Sequence, residues 1–425
     1  MDVMSTKVKI VSALPGTGKS KHLLEKINSE PDKNYIWITP FLDEAGDDDT
    51  KKVGRVREAT PDLCFVTPSN KSLGTKKKHL ELLLYRGENV SMTHNLFMDI
   101  TKGMVKNIEK NNYHIIIDET IDKVSVHTRD DKMLDLMLGF IELGVVKVGD
   151  MGVLSWVGRN FEWLQEEREL CDSGMLFLHN GKLLIKRYNS LVYSAAESVT
   201  VLTYMFHASP MRAWMDICKI PYEYLSIPLI HHPQDCKNTL KELLTLEPRD
   251  PEISKLQENL PTAFSSSWYK KNSDKLYVLR DVADKIYKRC CKRAERRGQP
   301  TPRFMYTTFK DYWEDVAGVG CKAKDFEECS SNFIAKNSRA TNKHGDKTHI
   351  LYWVNTYPQV DVARYLNELL PEHLQLSSDE YALSEMIQFI YRSALRNGKP
   401  TTLYIASDRM RDLFVRWLDQ PEKAP

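Results

Sequence analysis

KVKIVSALPGTGKSKHLLEKI, residues 7–27, changes periodicity twice. Lys7 to Ser12 alternates and is rich in β-branched side chains, which predicts a strand. From Lys21 to Ile27 the apolar residues Leu23, Leu24 and Ile27 recur at helical spacing, which predicts a helix. Between them stands Ala13-Leu14-Pro15-Gly16-Thr17-Gly18-Lys19-Ser20. Strand, glycine-rich turn, Lys-Ser and helix form the arrangement of a P-loop, with Ala13 where glycine is usual. Gly16 and Gly18 let the backbone turn its N–H groups inward, and the helix amino end adds positive potential. Such a segment cradles a phosphate chain. Pro15, Gly16, Thr17, Gly18, Lys19 and Ser20 are therefore the candidate nucleotide-binding residues. Lys19 is expected to reach the β- and γ-phosphates and Ser20 to hold Mg²⁺.

A plain strand–turn–helix fits the same letters, so a second site matters. Tyr113 to Thr120 reads YHIIIDET. Three consecutive isoleucines predict a strand buried on both faces, as in a parallel sheet. It ends in Asp118-Glu119, and ligands of α/β sheets sit at the carboxyl ends of strands. Asp118 is expected in the Mg²⁺ shell, and Glu119 is expected to orient and deprotonate the attacking water. With the P-loop, this pair points to nucleoside triphosphate hydrolysis, with ATP as the default substrate. No Asn-Lys-x-Asp signal for guanine stands at a suitable place.

Composition sets outer bounds. The chain has 425 residues, 42% apolar and 28% charged, which suits two or three globular domains and excludes a mostly disordered or collagen-like protein. No apolar run reaches the ~20 residues that span a bilayer, and the amino terminus lacks the apolar core of a secretory signal. The eight cysteines form no C-x-x-C pair and read as reduced thiols, which points to the cytoplasm. Sixty basic and 58 acidic residues leave a net charge of +2, which neither announces nor forbids a nucleic-acid partner.

Strand candidates at Tyr35–Thr39, Leu63–Thr67 and Asn89–Met92 alternate with helical stretches, which argues a doubly wound parallel sheet. Residues 121–195 are long for one connection. They hold a hairpin signature, Met175 to His179 and Lys182 to Arg187 around Asn180-Gly181, and are expected to be an insertion. Val199 to Phe206 is a further strand, followed by Ala208-Ser209-Pro210. Residues 231–261 are polar and proline-containing and read as a hinge. Beyond it, Lys275–Arg293 reads as an amphipathic helix. Strand candidates stand at Phe304–Thr307, His349–Val354 and Thr402–Ile405. A second α/β sheet without its own P-loop is expected. The domain expectation is residues 1–230, a hinge at 231–261, and residues 262–425.

Gln388, Arg392 and Arg396 fall at i, i+4 and i+8 on a helix expected over Tyr381–Arg396, which would place an amide and two guanidinium groups on one face. Such a stripe suits polyphosphate charge, and Arg is the residue that stabilises a transferring phosphoryl group. A solvated basic face is the plainer alternative. Trp268-Tyr269 beside Lys270-Lys271 suits base stacking or a helix edge.

The order P-loop, Thr39-Pro40, Asp118-Glu119, Ala208-Ser209-Pro210 and Gln388-x-x-x-Arg392-x-x-x-Arg396 resembles a superfamily 2 helicase, more narrowly the DEAD/DEAH-like helicases encoded by tailed bacteriophages. Matching passages include ITPFLDEA, SMTHNLF, IIIDET, YMFHASPM, NSRATN and YALSEMIQFIYRSALR, which span nearly the whole chain. Motif II departs from the usual form in reading Asp-Glu-Thr-Ile, and the final motif has one extra residue between its arginines. The resemblance implies two RecA-like domains, Mg-ATP as cofactor, and Arg392 and Arg396 as arginine fingers with Gln388 near the nucleotide. It implies a nucleic-acid face carrying Thr39, Pro40, Thr93, His94, Arg339, Thr341 and Asn342. The implied activity is ATP-driven movement on single-stranded or forked DNA, with RNA possible as the strand and phage replication or recombination proteins as partners. Two rival readings stand beside it: a P-loop kinase, and a nucleic-acid clamp without unwinding activity.

Overall fold

The computed structural model describes residues 8–127, 131–188, 190–321, 332–335 and 344–422. The chain divides into two compact units. The first comprises the chain through Ser12, Lys19–Pro228 and Gln359–Leu376. The second comprises Ala13–Gly18, Leu229–Pro358 and the chain from Ser377 onward.

In the first unit the strands β1 (Val8–Ser12), β2 (Tyr35–Thr39), β3 (Val90–Thr93) and β4 (His114–Asp118) alternate with helices. Five short strands follow: β5 (Val124–Val126), β6 (Val146–Val148), β7 (Leu154–Trp156), β8 (Leu176–His179) and β9 (Leu183–Arg187). The chain then returns as β10 (Ser198–Thr203) and β11 (Tyr222–Tyr224). The main sheet runs β11-β1-β10-β4-β2-β3, and every pairing in it is parallel. The isoleucine run of β4 is buried on both faces. Ile115 and Ile117 pack with Ile10, Ile36, Ile38, Val199 and Val201, whereas Ile116 packs with Val11, Trp37 and Leu202 on the other side. The stretch Leu63–Thr67 contributes only an isolated bridge, Val66 to Val90.

The expected insertion lies within the first unit, where Val124, Phe177 and Ile185 join the main core, and it adds small antiparallel sheets and a core cluster of its own. β5, β9 and β8 form an antiparallel sheet, and β6 pairs with β7. Asn180 and Gly181 both have positive φ, +49° and +65°, as a two-residue hairpin turn requires. Its core gathers Met137, Phe140, Leu154, Trp156, Leu170 and Leu176.

The second unit holds a parallel sheet of β12 (Leu244–Leu246), β13 (Phe304–Thr307), β14 (His349–Tyr352) and β15 (Thr401–Ile405), in the order β12-β15-β14-β13. The helix Leu276–Arg296 buries Leu279, Val282, Ala283, Ile286 and Cys290, the i, i+3/i+4 stripe that the sequence foretells. Trp268 and Tyr269 belong to this core, and the Tyr269 hydroxyl donates to the Trp353 carbonyl at 2.9 Å, so neither is available to stack on a base. The polar stretch 231–261 carries the helix Pro233–Leu243, β12 and the helix Pro251–Gln257. Its prolines read as hinge residues in the sequence, but Pro233 and Pro251 stand in the first turn of a helix, where a missing N–H costs nothing. Among the described residues no helix is long and apolar enough to cross a membrane.

Candidate nucleotide site

The first unit brings the P-loop serine and the acids of β4 together. Lys19 and Ser20 open the helix Lys19–Asn28, whose Leu23, Leu24 and Ile27 are buried under the sheet. Ser20 Oγ donates to Asp118 Oδ1 at 3.0 Å across 98 residues of sequence. Lys19 is also buried, at 9% exposure. Asp118 is 5% exposed, and its other oxygen, Oδ2, accepts from Arg55 Nη2 at 3.0 Å. Arg55 Nε in turn pairs with buried Glu44. His94 Nε2–H donates to the Asp118 carbonyl oxygen at 2.9 Å, which fixes the tautomer of that ring.

Glu119 has φ +69°, the left-handed region, which for a non-glycine residue costs about 1–2 kcal/mol. That bend ends β4 while the Glu119 N–H still donates to Leu202 O at 2.8 Å. Its carboxylate accepts from Thr203 Oγ1 at 3.2 Å. Backbone strain held by neighbouring hydrogen bonds is common where a side chain must be aimed.

One hydroxyl and one carboxylate are hard oxygen donors that suit Mg²⁺, which keeps several waters and leans on substrate phosphates. Among the described residues no cluster of three His, Cys, Asp or Glu side chains forms a metal cage, so a cation here needs those outside ligands. Arg55 already neutralises Asp118, so a divalent cation at Asp118 must push its guanidinium aside. With like charges about 4 Å apart near a protein surface the repulsion is on the order of several kcal/mol.

The glycine-rich turn lies in the second unit. Gly16 and Gly18 have φ +86° and +94°. Thr17 Oγ1 donates to Leu14 O at 2.8 Å, and the Ile230 N–H donates to Thr17 O at 3.0 Å. A Cβ on Gly18 would stand 2.6 Å from Ile230 Cδ1, so packing as well as φ demands glycine there.

The final motif differs from its expected form. The helix is Ser378–Ile390, and a short 3₁₀ turn, Ala394–Asn397, follows. The helix stops because Ser393 is extended and its hydroxyl accepts from the Leu395 N–H at 3.3 Å, while the Ala394 N–H goes to Lys347 O at 2.8 Å. Gln388 stays on the helix, with Nε2 donating to Ser384 Oγ at 3.3 Å. Arg392 is buried in the turn beside the Phe389 ring, and Arg396 is exposed. The three residues therefore do not form one helical stripe.

Of the expected nucleic-acid residues, Thr39 is fully buried, its hydroxyl without a partner among the described residues, and Pro40 is half-buried. Thr93 caps the helix His94–Met98. Arg339, Thr341 and Asn342 lie outside the described residues. Sequence reasoning missed Arg55, Glu44 and Thr203. Arg55 carries no motif and meets Asp118 only through the fold. Thr203 ends β10, and pairing of β10 with β4 was the one signal that would have placed it.

Residues 238–418 match the family model described as the YonV C-terminal Rossmann-like domain. That description agrees with the parallel sheet of the second unit. The chain is also similar to the SPbeta prophage-derived uncharacterized protein YonV of Bacillus subtilis (strain 168). The identity is 26% over 439 residues, covering 97% of this chain and 99% of the relative. The prophage source of this relative accords with the phage-type resemblance of the motifs. Among solved structures, an XPD helicase aligns with 99% of this chain and 97% of its own at 10% identity and a TM-score of 0.39. The DUF1998 helicase MrfA bound to DNA and AMPPNP aligns with 99% of this chain and 49% of its own, at 9% identity and a TM-score of 0.37.

Proposed function

We propose that the chain is a Mg²⁺-dependent ATPase of helicase type that moves along a nucleic-acid strand. The observation that carries the nucleotide half is the Ser20–Asp118 hydrogen bond, which unites the P-loop serine with the acid ending β4. Lys19 binds the β- and γ-phosphates, and Ser20 and Asp118 hold the metal. Held by Ser20 and Asp118, Mg²⁺ would supply positive charge to offset that of the phosphates. Glu119 orients a water against the γ-phosphorus and takes its proton as the bond to the β-phosphate oxygen breaks, releasing ADP and phosphate. Arg392 and Arg396 neutralise charge on the transferring phosphoryl group.

The nucleic-acid half rests on the motif order of the sequence, with Thr39, Pro40, Thr93, His94, Arg339, Thr341 and Asn342 as strand contacts. His94 supports a link between the two halves, because its ring is bonded to the Asp118 carbonyl. A strand that moves His94 also moves the metal-holding acid. The test is phosphate release with and without single-stranded DNA or RNA, followed by strand displacement from 3′- and 5′-tailed duplexes. Stimulation by the strand is expected; a rate indifferent to both polymers removes the translocase half and spares the ATPase.

Arg55 gives a second check. Arg55→Met removes the cation competing for Asp118, so half-maximal hydrolysis is expected at about tenfold less Mg²⁺, the equivalent of ~1.4 kcal/mol. A magnesium titration that instead shifts upward would make Arg55 a support of the site and not a competitor.

A further inference from the structure

We propose that the second unit carries a separate cleft for the phosphate backbone of single-stranded nucleic acid, at the amino-terminal edge of its sheet. Binding there does not depend on ATP at Lys19. The cleft is about 710 Å³ and is walled by the end of the helix Leu276–Arg296 and by the loops that lead into β13, β14 and β15. Nucleotide sites of parallel sheets lie at the carboxyl ends of strands, so this edge is the opposite one.

Its charge is what points to a ligand. Arg293, Arg297, Arg303 and Lys399 line it, against the single carboxylate of Asp346. Asp346 is taken by Arg303 at 2.9 Å. Glu247, buried beneath, pairs with Arg293 at 2.6 Å and Arg289 at 2.5 Å. Burial alone would raise its carboxyl pKa, but the hydrogen bonds from those two guanidinium groups prevail and hold it below the usual range. That leaves Arg297 and Lys399, both exposed, with no side-chain partner among the described residues. At the helix end the Ala294 and Glu295 carbonyls are capped by the N–H groups of Arg297, Gly298 and Gln299, which reduces the negative potential there.

The exposed Lys288, Lys292 and Arg296 of the same helix face away from the cleft, which Cys290, Arg293, Ala294 and Arg297 line, so the cleft relies on its own cations. Arg297 and Lys399, the two uncommitted cations of the cleft, can each take a phosphate, which suits successive phosphates of one strand. The lining offers threonine hydroxyls and prolines and, apart from His349, no ring to stack on. His349 is buried, and its desolvation pulls its pKa down to about 4, so it adds no charge near neutral pH. Binding to the backbone without base reading follows, with strong salt dependence.

The experiment is fluorescence anisotropy with a labelled (dT)₂₀ and, in a second arm, a labelled (U)₂₀, without nucleotide, over a salt series. It compares the full chain with the double variant Arg297→Ala/Lys399→Ala. Both side chains are exposed, so thermal unfolding is expected unchanged and serves as the control on folding. Each phosphate left without its cation flattens the slope of log affinity against log salt by about 0.7, so the pair should flatten it by about 1.4, with binding weakened about tenfold near 0.1 M salt. A loss confined to one arm assigns the cleft to that polymer. An unchanged slope, or no binding of either oligonucleotide to the unsubstituted chain at low salt, overturns the proposal while leaving ATP hydrolysis untouched.

Discussion

Glu119→Gln lowers ATP turnover about 10²–10⁴-fold and leaves Mg-ATP affinity within about twofold, the expected signature of a lost general base. The substitution is mild for the fold. Glutamine has the same length, its amide oxygen can still accept from Thr203 Oγ1, and the left-handed backbone at Glu119 is equally strained for either side chain. What disappears is the capacity to take a proton from water. Asp118, the proposed metal holder, is untouched. Single-turnover hydrolysis separates the chemical step from product release, and a nucleotide titration reads binding. A rate within about threefold of the original would assign the proton to another group and leave Glu119 as the structural end of β4.

Lys123→Met is expected to stabilise the chain, by an amount on the order of 3 kcal/mol at pH 7. Lys123 is 2% exposed and lies just before β5. Its Nζ stands 4.3 Å from the Phe97 ring centre, 5.6 Å from that of Tyr193 and 5.9 Å from that of Trp214. No carboxylate pairs with it among the described residues. Burial brings its pKa from 10.5 down to about 7. Each pH unit between those values is worth about 1.4 kcal/mol. Cation–π attraction, about 2 kcal/mol for a desolvated pair, offsets only part of that. Among the described residues the buried Tyr193 hydroxyl and Trp214 Nε1–H have no acceptor, so the surroundings offer donors and favour a neutral amine.

The sign follows from proton counting. Between pH 7 and 10.5 the unfolded chain holds a proton on Lys123 that the folded chain excludes. Stability therefore rises with pH across that window and is flat below about 7. Methionine fills the aromatic box at similar volume without the charge. The gain from Lys123→Met should be largest at or below pH 7 and vanish near pH 10.5. Denaturation curves measured at about pH 7, 8 and 9 test this; parallel stability profiles for the two proteins, or a less stable variant at neutral pH, would show that the ammonium is satisfied in its box.

Local patterns announced much of this fold. The alternation in β1, the Leu23/Leu24/Ile27 stripe and the triple isoleucine of β4 each encode their burial directly, and Asn180-Gly181 encodes its turn. The Ser20–Asp118 hydrogen bond was legible because two motifs each state a geometry relative to a strand end. Other features depend on distant partners. Arg55 meets Asp118 across 63 residues without any motif. The break at Arg392 hinges on Ser393 capping a turn and on Lys347 accepting from Ala394, neither of which alters the helical periodicity read from Gln388 to Arg396. Trp268-Tyr269 next to two lysines looks like a nucleic-acid cluster in one dimension and is a core corner in three. Lys123 gives no sign of its burial, because a lysine between Asp122 and Val124 reads as surface.

The proposed Mg-ATP site is tested most directly by the affinity of a non-hydrolysable ATP analogue for the unsubstituted chain, for Lys19→Ala and for Asp118→Asn, each with Mg²⁺ and with EDTA. One phosphate-binding Lys19 supplies a charged hydrogen bond of about 1.5–3 kcal/mol, or roughly 10–100-fold in affinity. The predicted result is binding that Mg²⁺ strengthens, a loss of that size in Lys19→Ala, and little Mg²⁺ dependence in Asp118→Asn. Equal affinities in all three proteins, with or without the metal, would contradict it.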